Sequence, residues 1–229
     1  MSFAIGFVVF PNLTQLDFTG PLQVLHRLPG ATTHIVARTR EPVPSDGPLT
    51  IQPTVTFAEC PALDLLCVPG GFGVAQAMED EETIAFVRRE GARARYATSV
   101  CTGAFILGAA GLLQGKRATT HWAYHHLLPR VGAIPVQERV VRDGTTVTGG
   151  GVTAGIDFAF TLMKEIAGSV VAQAVQLGIE YDPQPPFDSG SPARAAAEIK
   201  AAVEQRYAPA LEAFQTVLDR VVPRLRAAD

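Results

Sequence analysis

The stretch Tyr96-Ala97-Thr98-Ser99-Val100-Cys101-Thr102-Gly103 decides the fold. Tyr96 to Val100 mix aromatic, small and β-branched side chains and read as a strand. The small, apolar run from Thr102 to Leu113 reads as a helix, with Gly111 as a stop signal. A strand that turns straight into a helix needs slim residues at the corner, because the two backbones approach closely there. Ser99 and Gly103 supply them on either side of Cys101. Cys101 thus sits at the end of a strand and the start of a helix, where free N–H groups and the helix dipole favour thiolate over thiol. The same residue also reads as a buried core cysteine, since unpaired cysteine is among the most buried residue types. Position alone does not separate the two.

Outward from this turn, strand-length apolar runs alternate with stretches of helical period. Residues 3–10 form a first strand, Thr19 to Leu28 a short helix, and residues 33–37 a second strand, with β-leaning pieces at 49–51 and 54–57. Asp64-Leu65-Leu66-Cys67-Val68 is a continuous apolar run stopped by Pro69-Gly70-Gly71, as expected of a strand covered on both faces. Residues 80–93 carry charges in helical spacing. Residues 139–142 and 145–148 flank Asp143-Gly144, a hairpin signal, and Gly149-Gly150-Gly151 leads into an apolar helix over 152–167. The alternation predicts an α/β protein with a mostly parallel sheet and helices on both faces. A Pro-rich loop from Asp182 to Pro192 divides an α/β body, residues 1–181, from an extension over 182–229 with two terminal helices. In the last helix Leu211, Phe214, Leu218 and Val221 make one apolar stripe, which must pack on the body or on a second subunit.

The 229 residues, 47% hydrophobic and 18% charged, suffice for one sizeable core. A net charge of −3, from 19 basic and 22 acidic residues, predicts neither a nucleic-acid partner nor an anionic membrane surface. The three cysteines have no disulfide-framework spacing, and no Cys/His cluster offers a metal site. Cys67, mid-strand, reads as core; Cys60, beside Pro61, has no evident partner. The apolar start at residues 1–10 reads as a buried strand rather than a leader peptide. No apolar run approaches the roughly 20 residues of a membrane helix. The expectation is a cytoplasmic protein, where thiols stay reduced.

Asp17, in Leu16-Asp17-Phe18-Thr19-Gly20-Pro21, lies past the end of the first strand, at the sheet edge that also carries Cys101. A carboxyl there could shuttle protons for a sulfur nucleophile, or simply cap a helix starting at Thr19 or Gly20. Pro69-Gly70-Gly71-Phe72-Gly73 follows another strand at the same edge, and its glycines free N–H groups to face a ligand. His121, in Thr119-Thr120-His121-Trp122, could pair with Cys101 in a dyad but reads better as a structural, hydrogen-bonding residue; His125 and His126 read as surface. Gly149-Gly150-Gly151 lacks the rest of a phosphate-loop pattern, which excludes nucleotide binding on that ground.

Together, the acid after the first strand, Pro69-Gly70-Gly71, the Cys101 turn and Thr120-His121-Trp122 resemble the ThiJ/PfpI branch of the class I glutamine-amidotransferase-like superfamily, over residues 3–180. The resemblance implies a flavodoxin-like three-layer sandwich, a cysteine on a strained elbow touched by an acidic side chain, and a homodimer. Many members have Glu where this chain has Asp17. Protease-like members have His directly after the cysteine, where this chain has Thr102, so the resemblance does not extend to Cys–His peptidase chemistry. Residues 16–21, 99–103, 111–125 and 149–158 are similar to members that hydrate isocyanides. That likeness implies a small-molecule isocyanide partner and no cofactor, because hydration involves no redox change. It implies Cys101 as nucleophile, Asp17 as proton shuttle, and Thr102 bonding to the intermediate nitrogen. Gly70, Gly71, Phe72, Trp122, Gly150 and Val152 would surround the substrate. Similar segments occur in the sensing domain of AraC-type transcription regulators. The stretch after Pro192 is short and carries acids and bases in nearly equal number, which predicts no grip on DNA. A redox-responsive protein would use the same cysteine if it were accessible.

Overall fold

In the computed structural model, which describes residues 3–226, the apolar runs at residues 3–8 and 65–68 become strands, and those after Thr102 and Val152 become helices. The chain runs β1 (Phe3–Val8), α1 (Gln15–Leu25), β2 (Ala31–Ala37), β3 (Val43–Pro44), β4 (Thr50–Ile51), β5 (Val55–Thr56), β6 (Leu65–Val68), α2 (Val74–Glu79), α3 (Glu81–Arg93) and β7 (Tyr96–Val100). It continues through α4 (Gly103–Ala109), β8 (Arg117–Ala118), a 3-10 segment (Trp122–Val131), β9 (Ile134–Pro135), β10 (Val140–Asp143) and β11 (Thr146–Gly149). The helices α5 (Ala154–Ala167), α6 (Ser169–Gly178) and α7 (Ala197–Arg226) complete it.

A seven-stranded sheet has the order β10-β11-β7-β6-β1-β2-β5. Its pairs are parallel except for the β10–β11 hairpin. Every residue of β6 and β7 is buried, which is why β6 reads as an unbroken apolar run; in β7 the buried Thr98 hydroxyl donates to the Leu66 carbonyl at 2.7 Å. α1 packs on α5, which covers β11, while α3 and α4 lie on β6 and β7 and are joined by α2 and α7. The result is a flavodoxin-like α/β sandwich. From β1 the chain goes first to β2 on one side and later to β6 on the other. The carboxyl ends of β1 and β6 therefore flank a topological switch point, the crevice where open sheets of this kind bind ligands.

Several boundaries differ from the sequence reading. α1 begins at Gln15, four residues before Thr19, so Asp17 lies inside its first turn rather than capping it. The β10–β11 hairpin pairs Asp143 with Thr146, which leaves Gly144-Thr145 as the turn, with Gly144 at φ 61. The expected pair of terminal helices is one 30-residue helix, α7, despite Pro209 and Pro223 within its span. Its burial explains this, since tertiary packing rather than propensity decides most helices. Phe214, Val217, Leu218, Val221 and Val222 are buried, and the Phe214 ring meets Phe105 and Tyr124 edge-on at 4.9 and 5.0 Å. Ion pairs Arg130–Asp219 and Arg220–Glu79 flank the stripe. α7 thus packs on the body of its own chain. Among the described residues no helix is long and apolar enough to cross a membrane.

Candidate active site

Cys101 stands between β7 and α4 with φ 56, in the left-handed region that side-chain-bearing residues avoid. Backbone bonds hold it there. Its N–H donates to the carbonyls of Gly149 (3.1 Å) and Gly150 (2.8 Å), and its own carbonyl accepts the Thr120 hydroxyl at 2.7 Å. The glycines after β11 and the Thr119-Thr120 pair therefore brace the elbow. Gly103 lets α4 start against β6, since a Cβ there would lie 2.2 Å from the Val68 carbonyl oxygen. Gly70 fits just as closely: a Cβ there would meet Thr102 N at 2.6 Å and Asp17 Oδ2 at 2.8 Å.

Asp17 is fully buried beside the elbow. Its Oδ2 accepts the Gly70 N–H at 2.9 Å. Oδ1 has no conventional hydrogen-bond partner among the described residues and is left to the Cys101 thiol, with which the carboxyl interacts. Burial pushes Asp17 up from 3.8 to about 7, against the pull of the Gly70 N–H and of Cys101. The thiol departs from expectation. Burial, then the charge of Asp17, pushes Cys101 well above its ordinary value, and the Thr102 N–H pulls the other way without prevailing. α4 has only seven residues and begins after Cys101, so its N-terminal field is outweighed. As pH rises past about 7 the carboxyl ionises while the thiol keeps its proton, and the titration belongs to both groups.

Above the pair is a cavity of about 180 Å³, lined by Thr14, Asp46, Gly71, Phe72, Cys101, Thr102, His121, Tyr124, Val152 and Tyr207. Of the residues expected around a substrate, Gly71, Phe72 and Val152 line it. Gly70 instead holds Asp17, and Gly150 accepts the Cys101 N–H. Trp122 is not in the lining. The 3-10 segment repeats every three residues, so His121 and Tyr124 share one face and Trp122 lies on another. His121 is half-buried, its pKa lowered to about 4 by burial, so it lines the cavity as a neutral ring. Ring contacts at 6.1 Å to Tyr124 and 5.5 Å to Tyr207 make these three an aromatic wall. Sequence reasoning missed both tyrosines. The three-residue spacing was a signal for Tyr124, but Tyr207 comes from α7 with no local mark. Cys67 is core, its thiol pushed to about 12 by burial. His126 is exposed, but His125 is half-buried with Nε2 unpaired among the described residues. No cluster of three or more His, Cys, Asp or Glu suited to a metal ion occurs among the described residues.

A profile of the DJ-1/PfpI family matches residues 4–165, the segment that carries the sheet, the elbow and Asp17. The chain belongs to the DJ-1/PfpI family. Within this DJ-1/PfpI family it is 56% identical over 225 residues to the isonitrile hydratase of Pseudomonas putida, covering 98% of this chain and 99% of that one. The crystal structure of a ThiJ/PfpI family protein from Pseudomonas syringae superposes with a TM-score of 0.93 at 44% identity, over 95% of this chain and 91% of the other. The transcriptional regulator GbdR of Pseudomonas aeruginosa is 28% identical over 190 residues, which are 78% of this chain and 51% of the regulator.

Proposed function

We propose that this chain is an isonitrile hydratase, a hydro-lyase that converts R–N≡C to the formamide R–NH–CHO at Cys101. The observation that carries the reading is the Cys101 elbow, which lines a small cavity while the buried Asp17 carboxyl sits against its thiol from behind. A volume of about 180 Å³ is below the roughly 300 Å³ where drug-sized pockets begin, which suits a small apolar substrate. The end-to-end likeness to a named isonitrile hydratase supports the same chemistry, whereas the likeness to the regulator covers half of that protein.

In this mechanism the Asp17 carboxylate takes the thiol proton as sulfur bonds to the terminal carbon. That carbon still holds an electron pair and takes the proton from Asp17, giving the thioimidate R–N=CH–S–Cys101. Asp17, again ionised, removes a proton from water as its oxygen adds to carbon, and the C=N π pair moves to nitrogen. Nitrogen gains that proton, and sulfur leaves with the hydroxyl proton to restore the thiol as the formamide departs. The Gly70 N–H holds Asp17 in place throughout. No electrons are gained or lost overall. The enzyme works as a homodimer in the cytoplasm, where a thiol stays reduced.

The test is turnover of phenyl isocyanide to N-phenylformamide by the purified protein, with Cys101→Ala alongside. Turnover that disappears in the variant is expected. Activity retained without the sulfur would remove the covalent mechanism, and an inactive wild type with a titratable thiol would remove the reading.

A further inference from the structure

When water adds to the thioimidate, negative charge gathers on nitrogen, so a donor aimed there lowers the barrier. Thr102 is the donor suggested by the sequence, but its hydroxyl is engaged elsewhere. Thr102 Oγ1 accepts the Gly71 N–H at 3.0 Å and donates a long bond to the Gly71 carbonyl at 3.4 Å. That pairing braces the elbow against the glycine turn, and the hydroxyl's remaining interaction is with the Cys101 sulfur rather than with a group beyond it.

Tyr124 is placed differently. The 3-10 segment sets it on the cavity face, and edge-on packing against Phe214 at 5.0 Å holds its ring. Its hydroxyl makes no hydrogen bond among the described residues, although the residue is buried. Tyr124 and Cys101 line the same cavity, and charge on the sulfur is felt at the phenol. Burial, then Cys101, then Tyr207 push the phenol to about 12, so it remains a donor across the working range.

Resting on the isonitrile hydratase reading, we propose that the Tyr124 hydroxyl is a catalytic residue that donates a hydrogen bond to the substrate nitrogen during thioimidate hydrolysis. The O–H bond stays intact; the proton that ends on nitrogen is the one Asp17 takes from water.

Tyr124→Phe keeps the ring and removes the donor. The expected result is a kcat about 100-fold lower, an unchanged melting temperature, and a steady-state protein heavier at Cys101 by one isocyanide. A kcat within twofold of wild type overturns the proposal, as does a slow variant carrying no adduct. Incorporating 3,5-difluorotyrosine at position 124 keeps the shape while making the phenol more acidic. Activity should then fall on the alkaline side where that phenol ionises, and a pH profile identical to wild type would also overturn it. Failure of wild type to turn over any isocyanide would instead bring down the reading beneath, and this inference with it.

Discussion

Asp17 shows how far one residue can be read before its surroundings are known. Its place after β1 marks it as a candidate, but only its complete burial makes its carboxyl titrate near neutrality. In the folded protein it binds a proton more tightly than in the unfolded chain. Its contribution to stability is therefore full below about pH 4 and is lost as pH rises toward 7. Above that, a rise from 3.8 to about 7 corresponds to a burden of about 4 kcal/mol from holding the carboxylate in the interior. Asp17→Asn should therefore melt higher than wild type at pH 8 and lose that advantage at pH 4, while turnover collapses. An equal melting difference at both pH values would show that Asp17 does not titrate as described. For wild type, kcat/KM should rise with pH through an apparent value near 7, as the carboxyl becomes able to accept the thiol proton. The corresponding expectation for Cys101, a thiolate favoured by α4, failed because desolvation does not appear in a linear sequence.

Elements were legible in proportion to their length and coverage. β6 and β7 are buried at every position; an apolar run announced the first, and an aromatic, small and β-branched mix the second. The two-residue strands β3, β8 and β9 are too short to show any period, although β4 and β5 were legible as β-leaning pieces, and the 3-10 segment repeats at three rather than 3.6. In α7 the apolar stripe was legible, but the continuity of the helix was not, because its prolines argue for a break that packing overrides. The junction of β6 with α4 offers a sharp test. In Gly103→Ala the new methyl would meet the backbone oxygens of Val68 at 2.2 Å and Pro69 at 2.6 Å, neither of which can rotate away. The elbow should open, with a loss of roughly 1–3 kcal/mol in stability and a fall in Cys101 alkylation or turnover. Gly178→Ala at the end of α6 meets nothing within 4 Å and serves as the control. Equal melting of the two variants would mean that the elbow tolerates separation.

At the scale of the molecule, the strand order brings Asp17, Gly70 and Cys101 to one sheet edge from turns far apart in the chain. This convergence could be read from the alternation of strands and helices. The far wall could not, since nothing near residue 207 in sequence marks it as facing a cavity. Light scattering should return twice the 24.3 kDa chain mass if the enzyme pairs as proposed; a single mass at micromolar concentration would leave each chain working alone.

The placement of Tyr207 has a consequence for biosynthesis. On the ribosome, the strands, the elbow and its cysteine all emerge before the helix that carries this tyrosine. A nascent chain can thus assemble its sheet and hold its sulfur while the substrate chamber still lacks a side. Activity should therefore appear only once α7 has docked, and a ribosome-stalled chain ending before residue 197 is expected to carry its sulfur without turning over an isocyanide.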